Sequence, residues 1–224
     1  MNKLAALMVG SVLFFSQTVY AEDAQSGERT WWGGISAKYW MVNYNSPSVQ
    51  STSVSQIIPT IAVGYKDFFY TLSIIGNQKA GNTEYQEESF GFGYRVTPNI
   101  AAVLGFRVFG EIPPPGGAVI NRTAYQTAAV LFNWPVPDSK LLLNGSLGYG
   151  FGKPQNGNFP DDNSNHPYSG VEFGVSYPVA DSAKVSLGYK AEKFDLPYRN
   201  ANATVTTSGV ADKSGFYFGA DYSF

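Results

Sequence analysis

The sequence predicts an all-β protein, an antiparallel up-and-down transmembrane β-barrel of about ten strands. Charged residues make up 14% of the chain and aromatic residues 16%, whereas an ordinary soluble domain has about 25% charged residues. Segments of about ten residues alternate between apolar and small or polar side chains, which is the pattern of a strand with one face toward lipid and one toward a lumen. The connections between these segments alternate between long and short, as in bacterial barrels.

Residues 1–21 predict a cleaved secretory signal peptide. Lys3 gives a positive start, residues 4–15 form an apolar run, and Ala21 is a small residue at the expected cleavage site. The apolar run is shorter than the roughly 20 residues that a membrane-spanning helix needs. The sequence therefore divides into a leader, residues 1–21, and one barrel domain, residues 22–224.

The last predicted strand, residues 216–224, shows the alternation clearly. Its outward face is expected to carry Phe216, Phe218, Ala220, Tyr222 and Phe224, with small or polar residues between them. The same period predicts strands at residues 34–43, 56–65, 89–96, 100–108, 141–149, 171–177 and 183–192. Two further strands are weaker: residues 68–75 are short, and residues 125–134 have no clear phase because five consecutive residues are apolar. Ten strands are therefore expected, with eight as the alternative.

Connection lengths test this assignment independently. The short connections are residues 66–67, 97–99, 135–140 and 178–182. The long connections are residues 45–55, 76–86, 110–124, 152–167 and 195–214. Outer-membrane barrels have short periplasmic turns and longer outer loops, so both chain termini are expected in the periplasm.

The C-terminal run carries a family resemblance. With Phe216, Phe218, Tyr222 and the terminal Phe224, it resembles the sorting signal of outer-membrane barrels, which the barrel-assembly machinery reads. The chain is thus similar to the small bacterial outer-membrane β-barrel superfamily. The resemblance implies an outer-membrane location and contact with outer-membrane lipid and lipopolysaccharide. It transfers no functional residue, because the superfamily shares a shape and not a site.

Charged residues on the predicted inward faces are the candidate site. A Lys or Arg facing lipid at the bilayer midplane would cost about 2–4 kcal/mol, so the lumen is their expected place. They either pair with one another as a structural network or line a narrow pore, and Asp221 is expected to meet Lys38 across the barrel closure. Inward glycines such as Gly93, Gly174 and Gly188 leave room that water could occupy. The inward charges are Lys38, Arg95, Arg107, Glu172, Lys184, Lys190, Glu192 and Asp221.

Other classes of function have little support. The chain has no cysteine, which excludes thiolate chemistry and Cys-ligated metals, and it has no basic stripe for nucleic acid. His166, with Ser169, Asp161 and Asp162 nearby, is the candidate for a lipid-modifying or proteolytic site or a loosely bound cation. A solvated loop histidine is the preferred interpretation, so no enzyme, cofactor or metal is expected.

The expected function is that of an integral outer-membrane protein, either structural or a narrow passive channel for small solutes. The alternative is a barrel whose outer loops bind a surface ligand. An outer-membrane hydrolase centred on His166 is the third hypothesis.

Overall fold

The chain folds into a closed antiparallel β-barrel. The computed structural model describes residues 31–112, 119–120, 122–155, 162–199 and 207–224, so the predicted leader lies outside the described residues. Among the described residues no helix is long and apolar enough to cross a membrane. The strands are β1 (Trp31–Ser46), β2 (Val49–Tyr65), β3 (Phe68–Ala80), β4 (Thr83–Thr97), β5 (Ile100–Ile112), β6 (Val119–Ile120), β7 (Thr123–Pro135), β8 (Leu142–Pro154), β9 (His166–Ala180), β10 (Ala183–Arg199) and β11 (Thr207–Ser223).

Ten of these strands form the barrel wall, which confirms the predicted fold class. Neighbouring wall strands pair in chain order, and β11 pairs with both β10 and β1, so no edge is left between the first and last strands. The register sets Gly219 opposite Lys38 on β1 and Tyr222 opposite Ala183 on β10. The two-residue strand β6 only adds a short pairing to the end of β10.

The predicted phases hold along the wall, and the structure settles the two weak strands. On β7, Val130 and Trp134 point outward with about half of their surface exposed, while Tyr125 and Asn133 are buried inside. On β3, residues 68, 70, 72 and 74 point outward in the same way. Both segments are full wall strands, so the count is ten and not eight.

The strands are longer than predicted at one end of the barrel. The predicted loop at residues 45–55 is mostly strand and leaves a turn at residues 47–48, and the predicted loop at 76–86 shrinks to residues 81–82. The alternation continues there, but polar residues such as Asn45 and Ser53 take the outward positions, so the contrast with the inward face disappears from the sequence. We call this end, with its polar exterior, the outer extension, and the opposite end the short-turn end.

Pro59 marks a local interruption in the wall. It pairs with Ala37 of β1, but the pairing of β2 with β3 begins only at Thr60 and Ser73 and runs from there toward the short-turn end. A proline donates no backbone hydrogen bond, which accounts for a ladder that stops beside it.

Candidate functional site: the lumen

An aromatic cluster fills the lumen beside the outer extension. Tyr44 stacks on Tyr85 with ring centroids 4.7 Å apart, and Phe109 stacks on Phe194 at 4.3 Å. We call these rings, together with the lysine that lies among them, the plug. All of its members are fully buried: Trp40, Tyr44, Tyr85, Phe109, Tyr125, Phe194 and Lys213.

Lys213 lies in the middle of the plug. Its ammonium group lies 5.2 Å from the Phe194 ring and 5.4 Å from the Phe109 ring, within the range of cation–π attraction. It donates a hydrogen bond to Glu87 and lies 3.3 Å from Glu192. The buried ammonium group of Lys213 is therefore paired with two carboxylates, as burial of a charge requires.

On the side of the plug toward the short-turn end, Lys213 belongs to a network of five charged side chains. They are Glu87, Arg107, Lys190, Glu192 and Lys213. Arg107 pairs with Glu192 and lies 3.2 Å from Glu87, while Lys190 lies 3.1 Å from Glu192. Three cations therefore share two carboxylates. Arg107, Lys190 and Glu192 were predicted from the sequence, but Glu87 and Lys213 were missed.

The missed residues lie in the parts of β4 and β11 that the sequence assigned to loops or left without a phase. Continuing the period of two from Ser89 back to Glu87, or from Gly215 back to Lys213, would have placed both side chains inside. The outward neighbours of these residues are polar, so the sequence lacks the contrast between apolar and polar faces that identifies a strand there.

The other predicted charges lie between the network and the short-turn end. Lys38 pairs with Glu172, so the expected contact of Lys38 with Asp221 is wrong. Asp221 instead lies directly across from Lys184 on β10, because the closing register places Gly219, and not Asp221, opposite Lys38.

Aromatic side chains occupy the space beside three of the inward glycines. A Cβ at Gly188 or Gly174 would come within 2.6 Å of the Tyr217 hydroxyl, and one at Gly93 within 2.1 Å of the Phe69 ring. Gly174 and Gly188 are cross-strand neighbours, so together they form the seat for Tyr217. The expectation that these glycines leave open space is therefore wrong at these three positions.

A cavity remains below the plug, between the charge network and the short-turn end. It has a water-accessible volume of about 180 Å³. We call it the lower cavity. Its lining combines charged, polar and apolar side chains.

His166 is not the solvated loop residue that the sequence predicts. It begins β9, and its side chain is 2% exposed. Its Nδ1 lies 2.6 Å from Asp195, and its Nε2 lies 3.0 Å from Asp162 and 3.2 Å from the Ser164 hydroxyl. Ser169 faces outward, and Asp161 lies outside the described residues.

This arrangement resembles a nucleophile–base–orienter set only in composition. Both ring nitrogens of His166 lie within hydrogen-bond distance of a carboxylate, and Ser164 donates its hydroxyl to Asp162. The proton of Ser164 is thus directed at Asp162 and not at the imidazole, so serine and histidine do not form the contact that a nucleophile and its base require. Burial would raise the pKa of Asp162, but hydrogen bonds from Ser164 and His166 outweigh it and lower that pKa. The cluster is best described as a hydrogen-bonded tie between residues 162–166 and β10.

Comparisons with known proteins give a likeness of architecture. No protein-family model and no curated protein matches the chain. The translocator domain of the autotransporter NalP from Neisseria meningitidis is 10% identical, with a TM-score of 0.46, over 89% of this chain and 90% of that chain. Neisserial surface protein A is 14% identical, with a TM-score of 0.34, over 89% of this chain and 100% of that chain. At these identities and scores, the likeness does not bear on function.

Proposed function

We propose that the protein is an integral outer-membrane barrel whose lumen is closed at its outer end in the resting state. The apolar exterior supports a membrane location, with Leu104, Leu147 and Phe218 each more than half exposed on the outward face. We orient the barrel with its short turns in the periplasm and the outer extension at the cell surface, as in other outer-membrane barrels. Exposed cations of the outer extension, such as Lys79, Lys153 and Lys193, are then placed to meet phosphate groups of lipopolysaccharide.

The plug is the observation that carries this proposal. Removing one partner from a buried ion pair costs about 3–5 kcal/mol. If moving Lys213 away from Glu87 and Glu192 costs as much, the lumen is open for less than about 1% of the time. A barrel of this kind serves as a structural protein that presents the outer extension at the cell surface.

A narrow solute channel is the second candidate. The observation in its favour is the charge network, in which three cations share two carboxylates. Arg107 and Lys213 each contact both Glu87 and Glu192. Exchanging partners within such a network would change the width of the lumen without leaving a charge unpaired.

Planar-bilayer recordings distinguish the two candidates. The closed barrel predicts no steady conductance for the wild-type protein, and a clear increase for the double variant Phe109→Ala/Phe194→Ala, which removes two stacked rings of the plug. The control is Phe173→Ala/Phe218→Ala, which removes two outward rings and leaves the plug intact. Steady conductance of folded wild-type protein would overturn the closed state and support the channel.

A further inference from the structure

The lining of the lower cavity has more positive than negative charges. Its cationic side chains are Lys38, Arg95, Arg107 and Lys190, and its carboxylates are Glu172 and Glu192. Lys38 is matched by Glu172. Arg107 and Lys190 share Glu192 with Lys213, and Glu87 completes that group. The enclosed network thus keeps one positive charge in excess, before Arg95 is counted.

Arg95 adds a second positive charge near the short-turn end. Its guanidinium lies 5.6 Å from the ring of Trp32 and is attracted by the carboxylate of Asp67, but among the described residues it forms no salt bridge. The side chain is partly exposed, which places it where the cavity meets the solvent. Arginine beside an aromatic ring is well suited to hold a carboxylate through two parallel hydrogen bonds.

The uncharged lining includes an apolar wall as well as polar side chains, and the hydroxyl of one of these lacks a partner. Ile58, Phe69, Val103 and Leu131 contribute hydrocarbon surface. The hydroxyl of Thr60 is fully buried, and no described residue gives it a hydrogen bond. A buried hydroxyl without a partner costs free energy, so a water molecule or a polar group of a ligand in this space would stabilise the site.

We propose that the lower cavity binds a small organic anion with an apolar body, which enters from the short-turn end. Its carboxylate pairs with Arg95, its body packs against the apolar wall, and its charge compensates the excess of cations. One water needs roughly 10–15 Å³ of such volume, so 180 Å³ has room for roughly 12–18 atoms of that size, enough for a small organic molecule. Benzoate fits this volume, has the required chemistry and serves as the probe.

Titration calorimetry on the refolded full chain in detergent tests the site. Benzoate is expected to bind at one site per chain and at least ten times more tightly than benzyl alcohol, which has the same ring without the charge. Arg95→Gln is expected to weaken benzoate at least tenfold. The matched control Arg122→Gln removes an arginine that pairs with Glu88 at 2.7 Å and does not line the cavity, so it should leave binding unchanged.

Each other outcome overturns the proposal. Equal affinity for benzoate and benzyl alcohol would remove the role of charge, and equal affinity for benzoate and acetate would remove the role of the apolar wall. Equal weakening by Arg95→Gln and Arg122→Gln would show a general surface effect. If Arg95→Gln fails to fold, the comparison of the three probes on the wild-type chain still decides the proposal, and absence of saturable binding there contradicts it.

Discussion

At the scale of single residues, the lumen is organised by charges that the sequence pattern only partly reveals. The inward positions of Lys38, Arg107 and Glu192 follow from the period of two, because each lies in a strand with an apolar outward face. Their partners do not follow, since the closing register and the shape of the barrel decide which strands face one another across the lumen. Lys38 meets Glu172, which is 134 residues away in the chain.

Lys213 is the residue whose loss should affect the barrel most. Lys213→Met keeps the length of the side chain but leaves Glu87 and Glu192 short of a cation, so we expect a loss of about 3–5 kcal/mol in the free energy of unfolding. Guanidinium unfolding in lipid vesicles, followed by tryptophan fluorescence, measures this loss. Lys193→Met is the control, because its pair with Asp212 is exposed and such pairs contribute about 0–1 kcal/mol. Equal losses for both variants would contradict the role given to Lys213.

The tie at His166 should depend on pH through Asp162. The pKa of Asp162 lies below its usual 3.8 in the folded chain. A carboxyl group of this kind stabilises the fold above the unfolded pKa, and the contribution disappears as the pH falls through the folded pKa. We therefore expect Asp162→Asn to destabilise the protein at pH 6, and the difference from wild type to shrink below about pH 3.8.

Unfolding midpoints from pH 2 to pH 7 for both chains measure that difference. The exposed turn residue Asp181 supplies the control substitution Asp181→Asn. A wild-type advantage that stays constant down to pH 2 would show that the charge of Asp162 has no part in the tie.

At the scale of elements, strand identity could be predicted and strand length could not. The apolar outward faces define the parts of the strands that would lie in lipid, as in β5 with Leu104 and Phe106. Above them the outward residues become polar, and the same backbone ladder continues without an apolar signature. The phase of β7 also needed the structure, because inward Ala129 and Leu131 are as apolar as their outward neighbours.

Paired glycines determine how closely strands and rings approach. In Gly188→Ala the new methyl group would lie 2.4 Å from the carbonyl oxygen of Phe173 and 2.6 Å from the Tyr217 hydroxyl. We expect a loss of about 1–3 kcal/mol in the free energy of unfolding from this overpacking. At Gly76 a Cβ meets nothing within 4 Å, so Gly76→Ala should be neutral or slightly stabilising. If both variants unfold at the same guanidinium concentration, Tyr217 is not seated as described.

At the scale of the whole molecule, the barrel has two different halves. The half beside the outer extension is filled by stacked rings and the charge network, and the half at the short-turn end keeps the lower cavity. The sequence predicted a closed barrel with a mixed-charge lumen. It could not predict this asymmetry, because the rings of the plug come from β1, β4, β5, β7 and β10 and meet only after the barrel closes.

Cysteine accessibility tests the closed outer end most directly. The chain has no native cysteine, so Ser146→Cys places a single thiol in the wall of the lower cavity, and Ser51→Cys places one on the exposed outer extension. In vesicles of defined orientation, a charged thiol reagent that cannot cross the bilayer is applied from either side. We predict that the thiol at position 146 reacts only from the short-turn side and the thiol at position 51 only from the outer side. Equal labelling at position 146 from both sides would contradict a lumen closed by the plug.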